Sequence, residues 1–242
     1  MLNTQSNVGV VLPAAGAGIR FGEKKQFRVL GRRPLFYHAL QPFLAIDAVR
    51  EIVVVTPKDV VRQVDRELRS LSATKPIQVI AGGKRRQDSV FAGVQALSDT
   101  YDLICIHDAV RPFLSQEEVI KTIRACEEND GAILAIPAKD TIKHIQGQKI
   151  LKTISRETVW LAQTPQTFWT KPLQKALNSA INDNVTGTDE SMLLERLGYQ
   201  IVTVEGSAMN IKITTPEDWV FAEAIWSHRN TVTENEILGG AK

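Results

Sequence analysis

Short apolar runs rich in β-branched residues alternate along this chain with segments of helical periodicity, and few folds accept that order. The runs are Val8–Leu12, Glu51–Thr56, Ile77–Ala81, Leu103–His107, Ala132–Ile136, Gln200–Val204 and Asn210–Thr214, each read as a strand. Several helices between them have recognisable starts. Ser115 and Glu118 form a capping box for a helix beginning near Gln116. Asp88 is placed to cap a helix over Ser89–Leu97. Thr215 caps a helix opened by Pro216, Glu217 and Asp218. The alternation predicts an α/β fold, a mostly parallel sheet with helices on both faces. Ligands of such sheets bind beyond the carboxyl ends of the strands.

The first of those ends carries the strongest chemical signal. Val8–Leu12 runs into Ala14-Ala15-Gly16-Ala17-Gly18, followed by Arg20, Lys24 and Lys25. A loop without bulky side chains lets backbone N–H groups approach an anion, and cations after it neutralise further charge. The pattern suggests a nucleoside triphosphate site. A Walker A loop requires G-x-x-x-x-G-K-[ST]. Here Gly22 is followed by Glu23, and neither Lys24 nor Lys25 precedes a Ser or Thr. A dinucleotide loop requires G-x-G-x-x-G and a later acid. Here Gly16, Gly18 and Gly22 are one residue too widely spaced, and Thr56-Pro57-Lys58 replaces the acid. Both readings fail, and phosphate binding is preferred over an inert turn because of the cations.

Composition restricts the alternatives. The chain has 242 residues, 43% of them apolar, and a net charge of only +2. A globular domain follows, and a general nucleic-acid or membrane surface is disfavoured because any positive site must be local. No apolar run approaches the roughly 18 residues of a membrane span, and no signal peptide is evident. Cys105 and Cys126 form no ligand-spaced pair, which fits a reducing, cytoplasmic setting.

Further residues stand at strand ends. Asp108, in His107-Asp108-Ala109-Val110-Arg111-Pro112, is either a Mg²⁺ or ribose ligand or a turn-capping carboxylate. Arg111 pairs with Asp108 or with a phosphate, and His107 is read as structural. Gly82-Gly83-Lys84-Arg85-Arg86-Gln87-Asp88-Ser89 combines two glycines, three cations and a helix start. It suits an anion or a base edge, with Ser89 as a base contact, although Lys84 and Arg85 singly fit a solvated loop. The acids of Thr188-Asp189-Glu190 are read as helix caps. Lys212, in a strand-like run, points to solvent unless it serves a site.

One segment interrupts the alternation. Thr141–Ile145 and Ile150–Ile154 pair as a hairpin through Gln146-Gly147-Gln148-Lys149. An isolated hairpin is marginal in water, so this one is either an arm onto a second subunit or an exposed flap. The chain is read as one domain over residues 1–242, with the arm at about 138–163 and a polar, fraying tail at 229–242.

Together, PAAGAGIRFGEKKQF, GGKRRQDSV, HDAVRPF, PAKDTIK, QTPQTF, TDES and NIKITTPED resemble, in order and spacing, the 2-C-methyl-D-erythritol 4-phosphate cytidylyltransferases. The resemblance runs from about Val8 to Ile225. It implies a Rossmann-like α/β fold and a homodimer whose β-arm reaches the partner's site. It also implies a reaction in non-mevalonate isoprenoid synthesis, joining CTP and the sugar alcohol phosphate with release of pyrophosphate. Mg²⁺ is implied as the cofactor, held mainly by the CTP phosphates with Asp108 as a possible ligand. By position, Arg20 and Lys25 match transition-state stabilisers, and Arg156 and Lys212 match residues that position the sugar phosphate. Ala14, Ala15, Gly16, Gly83 and Ser89 match the cytidine pocket. Asp108, Arg111, Thr141, Thr164 and Thr188 match substrate contacts. Met209 departs from an Asp that some members place before N-I-K. The rivals are a ribitol 5-phosphate cytidylyltransferase, a catalytically silent nucleotide-binding regulator and, more distantly, a flavin or nicotinamide oxidoreductase.

Overall fold

The computed structural model describes residues 6–16, 18, 21–70, 75–98 and 100–239. Its early elements are β1 (Val8–Pro13), β2 (Val29–Leu30), β3 (Arg33–Pro34), α1 (Leu35–Leu44), β4 (Val49–Thr56), α2 (Val61–Arg69), β5 (Ile77–Ala81) and α3 (Arg86–Ala96). There follow β6 (Leu103–Ile106), α4 (Gln116–Ala125), β7 (Gly131–Pro137), β8 (Ile142–Gln146), β9 (Lys149–Ile154), β10 (Trp160–Trp169), α5 (Thr170–Asn182), α6 (Glu190–Glu195), β11 (Ile201–Glu205) and α7 (Pro216–Gly239). Seven strands form one sheet in the order β11-β7-β10-β6-β1-β4-β5. Only β10 runs against its neighbours. The expected mostly parallel α/β fold is therefore the observed one.

Alternation along the strands sorts side chains into two layers. On one face, Val10 and Leu12 of β1 pack with Phe36, Leu40 and Phe43 of α1, Val64 of α2 and Val119 of α4. On the other, Val11, Val53 and Val55 pack with Val90 and Val94 of α3, Leu173 and Leu177 of α5, and Leu193 of α6. Successive strand side chains point to opposite faces, so cover on both sides buries the central strands β1 and β6 almost throughout and leaves the edge strands β5 and β11 partly exposed. A third cluster, with Phe21, Leu35, Phe113, Ile213 and Trp219, seats α7 over the connections that follow β1 and β6.

The structure corrects three expectations. Asn210–Thr214 is no strand: its backbone bonds are local or isolated, Asn210 N–H to Ser207 O at 3.0 Å and Ile213 N–H to Val110 O at 3.0 Å. The missing sheet strand is β10, whose Gln-Thr-Pro-Gln centre hid it. The β7–β10 ladder pairs residues 160–162, skips past Pro165 and resumes at Gln166, because proline has no N–H to give. Helix α3 begins at Arg86, not Ser89, and Asp88 lies inside its first turn, accepting the Arg85 backbone N–H at 3.1 Å. Helix α7 runs to Gly239 and so takes in most of the polar segment at 229–242. The Ser115–Glu118 capping box forms as read, with bonds of 3.2 and 2.9 Å. So does the hairpin, as β8 and β9. No helix among the described residues is long and apolar enough to cross a membrane.

Candidate active site

The carboxyl ends of β1, β5 and β6 open into a cavity of about 550 Å³. Its floor is the loop after β1, Pro13 to Gly16 with Gly18. One wall is Gly83 to Arg86 with Ser89, and Lys25, Asp108 and Lys212 close the rest. The site lies where parallel strands end, as the fold requires.

Each part has a local cause. Ala14 N–H bonds Val55 O at 2.7 Å, which ties the loop to β4. The buried Gln26 amide donates to Ala14 O at 2.8 Å and Gly16 O at 2.9 Å, so one side chain sets the loop's curvature. Gly18 has φ +70°, a conformation that L side chains rarely adopt. At Gly82 a Cβ would collide with Ala15 and the Ser89 hydroxyl. Only glycine there lets the β1 and β5 loops meet. Ser89 is almost fully buried and serves its own loop, accepting Gly83 N–H at 3.2 Å and donating to Arg85 O at 3.2 Å.

An ionic network built on the buried Asp108, Arg111 and Glu190 forms the cavity's back. Asp108 receives Arg86 Nε on Oδ1 at 2.9 Å and Lys212 Nζ on Oδ2 at 2.8 Å. Arg111 Nε stands 3.9 Å from Oδ2. The other edge of Arg86 meets Glu190, with Nη1 at 2.7 and 2.8 Å from its two oxygens. Burial alone pushes the Asp108 carboxyl up, but Arg86, Lys212 and Arg111 outweigh it and hold it well below the carboxylate range. Burial also opposes charge on Arg86, and the two carboxylates more than reverse that. Burial pushes Glu190 up, against the pull of Arg86.

Behind the network, the Thr164 hydroxyl accepts Asp108 N–H at 3.0 Å and meets His107 Nδ1 at 2.9 Å. His107 Nε2 lies 3.0 Å from Arg111 O. These partners fit a neutral imidazole protonated at Nε2, and burial pushes its pKa down to about 4. His107 is thus structural, as read from sequence.

The residues singled out from sequence fall into three groups. Ala14, Ala15, Gly16, Lys25, Gly83, Ser89, Asp108 and Lys212 line one cavity. Arg111 and Thr164 are buried beside it as braces. Arg111 Nη1 donates to Asn210 O at 2.8 Å and so holds the segment that carries Lys212. Thr188, Thr141 and Arg156 are exposed and do not line the cavity. Thr188 sits beside Met192 Sδ, and Arg156 on the arm donates to Lys139 O at 2.6 Å. Arg20 lies outside the described residues.

Sequence reading missed Gln26, Arg86 and Glu190 as individuals. Arg86 was one of three cations in its loop. The sequence pattern gives Glu190 a capping role, but Asp189 caps α6, accepting Met192 N–H at 3.1 Å. Two acids in series, with one cap to fill, was the available signal.

No group of three metal-ligating side chains occurs among the described residues. Asp108 is the one carboxylate among the described lining residues, and both its oxygens are engaged by cations. The donor set does not fit a resident metal.

A glycine loop facing converging cations at the carboxyl edge of a mostly parallel sheet is the architecture of an α/β nucleotidyltransferase. The family is narrower than that class. A profile of the 2-C-methyl-D-erythritol 4-phosphate cytidylyltransferases (IspD) matches residues 8–228, and the chain belongs to this family. It is 40% identical over 222 residues to the 2-C-methyl-D-erythritol 4-phosphate cytidylyltransferase of Halalkalibacterium halodurans, covering 91% of this chain and 97% of that one. It is 43% identical over 225 residues to the enzyme of that name from Geobacter metallireducens, covering 90% and 96%. Among solved structures, the 4-diphosphocytidyl-2C-methyl-D-erythritol synthase of Anaerococcus prevotii superposes with TM-score 0.83 at 31% identity, covering 93% of this chain and 97% of that one. The Thermus thermophilus 2-C-methyl-D-erythritol 4-phosphate cytidylyltransferase superposes with TM-score 0.74 at 32% identity, covering 91% and 99%.

Proposed function

We propose that this protein transfers the cytidylyl group of CTP to 2-C-methyl-D-erythritol 4-phosphate, releasing pyrophosphate. The observation that carries this reading is the convergence of Lys25, Arg86 and Lys212 on one cavity floored by the Ala14–Gly16 loop. A phosphate oxygen of the sugar alcohol attacks the α-phosphorus of CTP. A new P–O bond forms, the α–β P–O bond breaks, and the electron pair leaves on pyrophosphate. The second pKa of a phosphate monoester is about 6, so the nucleophile is already largely a dianion and needs no general base. The barrier is the approach of two anions. A unit-charge pair at 4 Å is worth about 4 kcal/mol at an effective dielectric near 20. Cations fixed before the reaction offset that repulsion and stabilise charge on the five-coordinate phosphorus. On this reading the Ala14–Gly16 backbone holds the nucleotide, and Gly83 and Ser89, bonded to each other, shape the pocket wall beside it. Arg20 and Lys25 act at its phosphates, and Lys212 with Asp108 meets the sugar phosphate.

Mg²⁺ enters on this reading as part of the substrate, complexed to the triphosphate, since the donor set offers it no cage. Arg156 and Thr141 act in the cavity of a second copy, reached by the β8–β9 arm. Ile145, Ile150, Leu151 and Leu161 leave more than half of their surface exposed on and beside that arm, and burying such a patch between two copies supports the homodimer.

The test is pyrophosphate release from CTP and Mg²⁺ with 2-C-methyl-D-erythritol 4-phosphate and with ribitol 5-phosphate in parallel. Release with the first substrate alone is expected. Release with only the second would overturn the substrate, and binding of CTP without release would overturn catalysis.

A further inference from the structure

We propose that Glu190 is a positioning residue for this reaction: by engaging one edge of Arg86, it leaves Asp108 free to hold the Lys212 ammonium in the cavity. The proposal builds on the reaction assigned above. The chain of contacts crosses four segments remote in sequence. Glu190 opens α6, Arg86 opens α3, Asp108 follows β6, and Lys212 lies on the extended segment before α7.

Geometry supplies the argument. A guanidinium is a rigid planar fork that prefers to meet a carboxylate through two donors at once. Here that fork is divided. Arg86 Nε reaches one oxygen of Asp108 at 2.9 Å, and Nη1 is taken by both oxygens of Glu190 at 2.7 and 2.8 Å. The second Asp108 oxygen is therefore not shared with Arg86, and it holds Lys212 at 2.8 Å with Arg111 Nε farther off at 3.9 Å. Without the Glu190 charge, Arg86 is free to turn toward both Asp108 oxygens and to compete with Lys212 for Oδ2. The charge count agrees. Arg86, Arg111 and Lys212 stand against Asp108 and Glu190, so the network carries one net positive charge. Removing the Glu190 charge raises it to two, so a loss of turnover in Glu190→Gln reports the placement of Lys212 and not a weaker positive field.

Other roles for Glu190 account for less. Asp189 already caps α6. Glu190 is only 1% exposed, and a buried ion pair adds little net stability over apolar packing, because desolvation offsets the attraction. The pair orients Arg86 at the cost of that desolvation.

The test combines a mutant cycle with a direct view of Lys212. Glu190→Gln keeps the shape and removes the charge. It should lower kcat by about tenfold or more with the KM for CTP changed less than about twofold, and cost less than about twofold in a Lys212→Ala background. Equal losses in both backgrounds would overturn the proposal. Independently, lysine-ammonium NMR of the ligand-free protein should show a Lys212 signal, identified by its absence in Lys212→Ala. That signal should shift and exchange faster in Glu190→Gln, and an unmoved signal would also overturn the proposal. If Glu190→Gln does not fold, Glu190→Asp serves. The shorter arm draws Arg86 from Asp108 and should displace the same signal, and again no displacement is fatal. A wild-type protein that turns nothing over, yet whose Lys212 signal responds, would refute the reaction and leave the positioning intact.

Discussion

Lys25 and His107 are both buried ionisable residues with opposite duties. Lys25 lines the cavity with only 9% of its surface exposed, its ammonium 3.4 Å from Thr214 O. A cation so placed costs little reorganisation when charge develops on a phosphate. Lys25→Ala is expected to reduce turnover by about a hundredfold or more with the unfolding midpoint nearly unchanged. Steady-state kinetics and a urea titration check both halves. His107 is kept neutral by burial, its pKa lowered from 6.5 to about 4. Its contribution to stability is whole above pH 6.5 and is lost as pH falls toward 4, because the unfolded chain takes up the proton first. Lowering pH from about 7.5 to about 5 should cost about 2 kcal/mol through this group. Gln reproduces a donor and an acceptor without titrating. Urea unfolding at the two pH values should show a smaller acid loss in His107→Gln by about that amount.

Elements were legible where the side-chain period was clean. Ile77–Ala81 is the strand with the bounds read from sequence, and the Ser115 cap opens α4 at Gln116. Legibility failed where polar residues or proline stood within a strand. Gln163, Thr164 and Gln166 made β10 look like a loop, yet all three are buried and bonded. The apolar alternation Ile211, Ile213 suggested a strand, but those side chains belong to the α7 cluster. Helix α7 is itself part of the site's frame. Asp218 accepts Thr214 N–H at 2.7 Å, the Thr214 hydroxyl at 2.7 Å and Thr215 N–H at 2.8 Å. Trp219 packs edge-on against Phe21 at 6.2 Å, with the Arg28 guanidinium 4.2 Å above its ring. Asp218→Ala should lower stability by about 1 to 2 kcal/mol, as loss of a cap does. It should also lower turnover, because Thr214 carries the carbonyl beside Lys25. Unfolding and kcat measured on one preparation separate the two effects.

At the scale of the whole molecule, one chain supplies the cavity but not the arm residues that the family resemblance brings to it. Arg156 and Thr141 sit on the exposed β8–β9 side, away from their own cavity lining. If two copies exchange arms, mixing Arg156→Ala with Lys25→Ala should restore about half of wild-type turnover per heterodimer, since one of its two sites is then intact, and about a quarter in a randomly reassorted mixture. Absence of recovery in verified heterodimers would place the arm elsewhere. A chelator should stop turnover without moving the unfolding midpoint of the ligand-free protein, because no described cluster of ligands holds a metal as part of the fold.

The alternation of strands and helices, the glycine loop and the Ser115 and Thr215 caps are local properties, set by side-chain period, by the lack of a Cβ and by short-range hydrogen bonds. The sequence alone determined these, and with them the α/β class, the family and most of the cavity lining. The division of Arg86 between Asp108 and Glu190, the Gln26 clamp on the β1 loop and the bracing of Asn210 by Arg111 join residues 12 to 104 positions apart. Such pairings depend on where the sheet and helices bring side chains together, and no local pattern encodes the distance between them. Only the tertiary structure decided which charges of a nearly neutral chain are buried side by side.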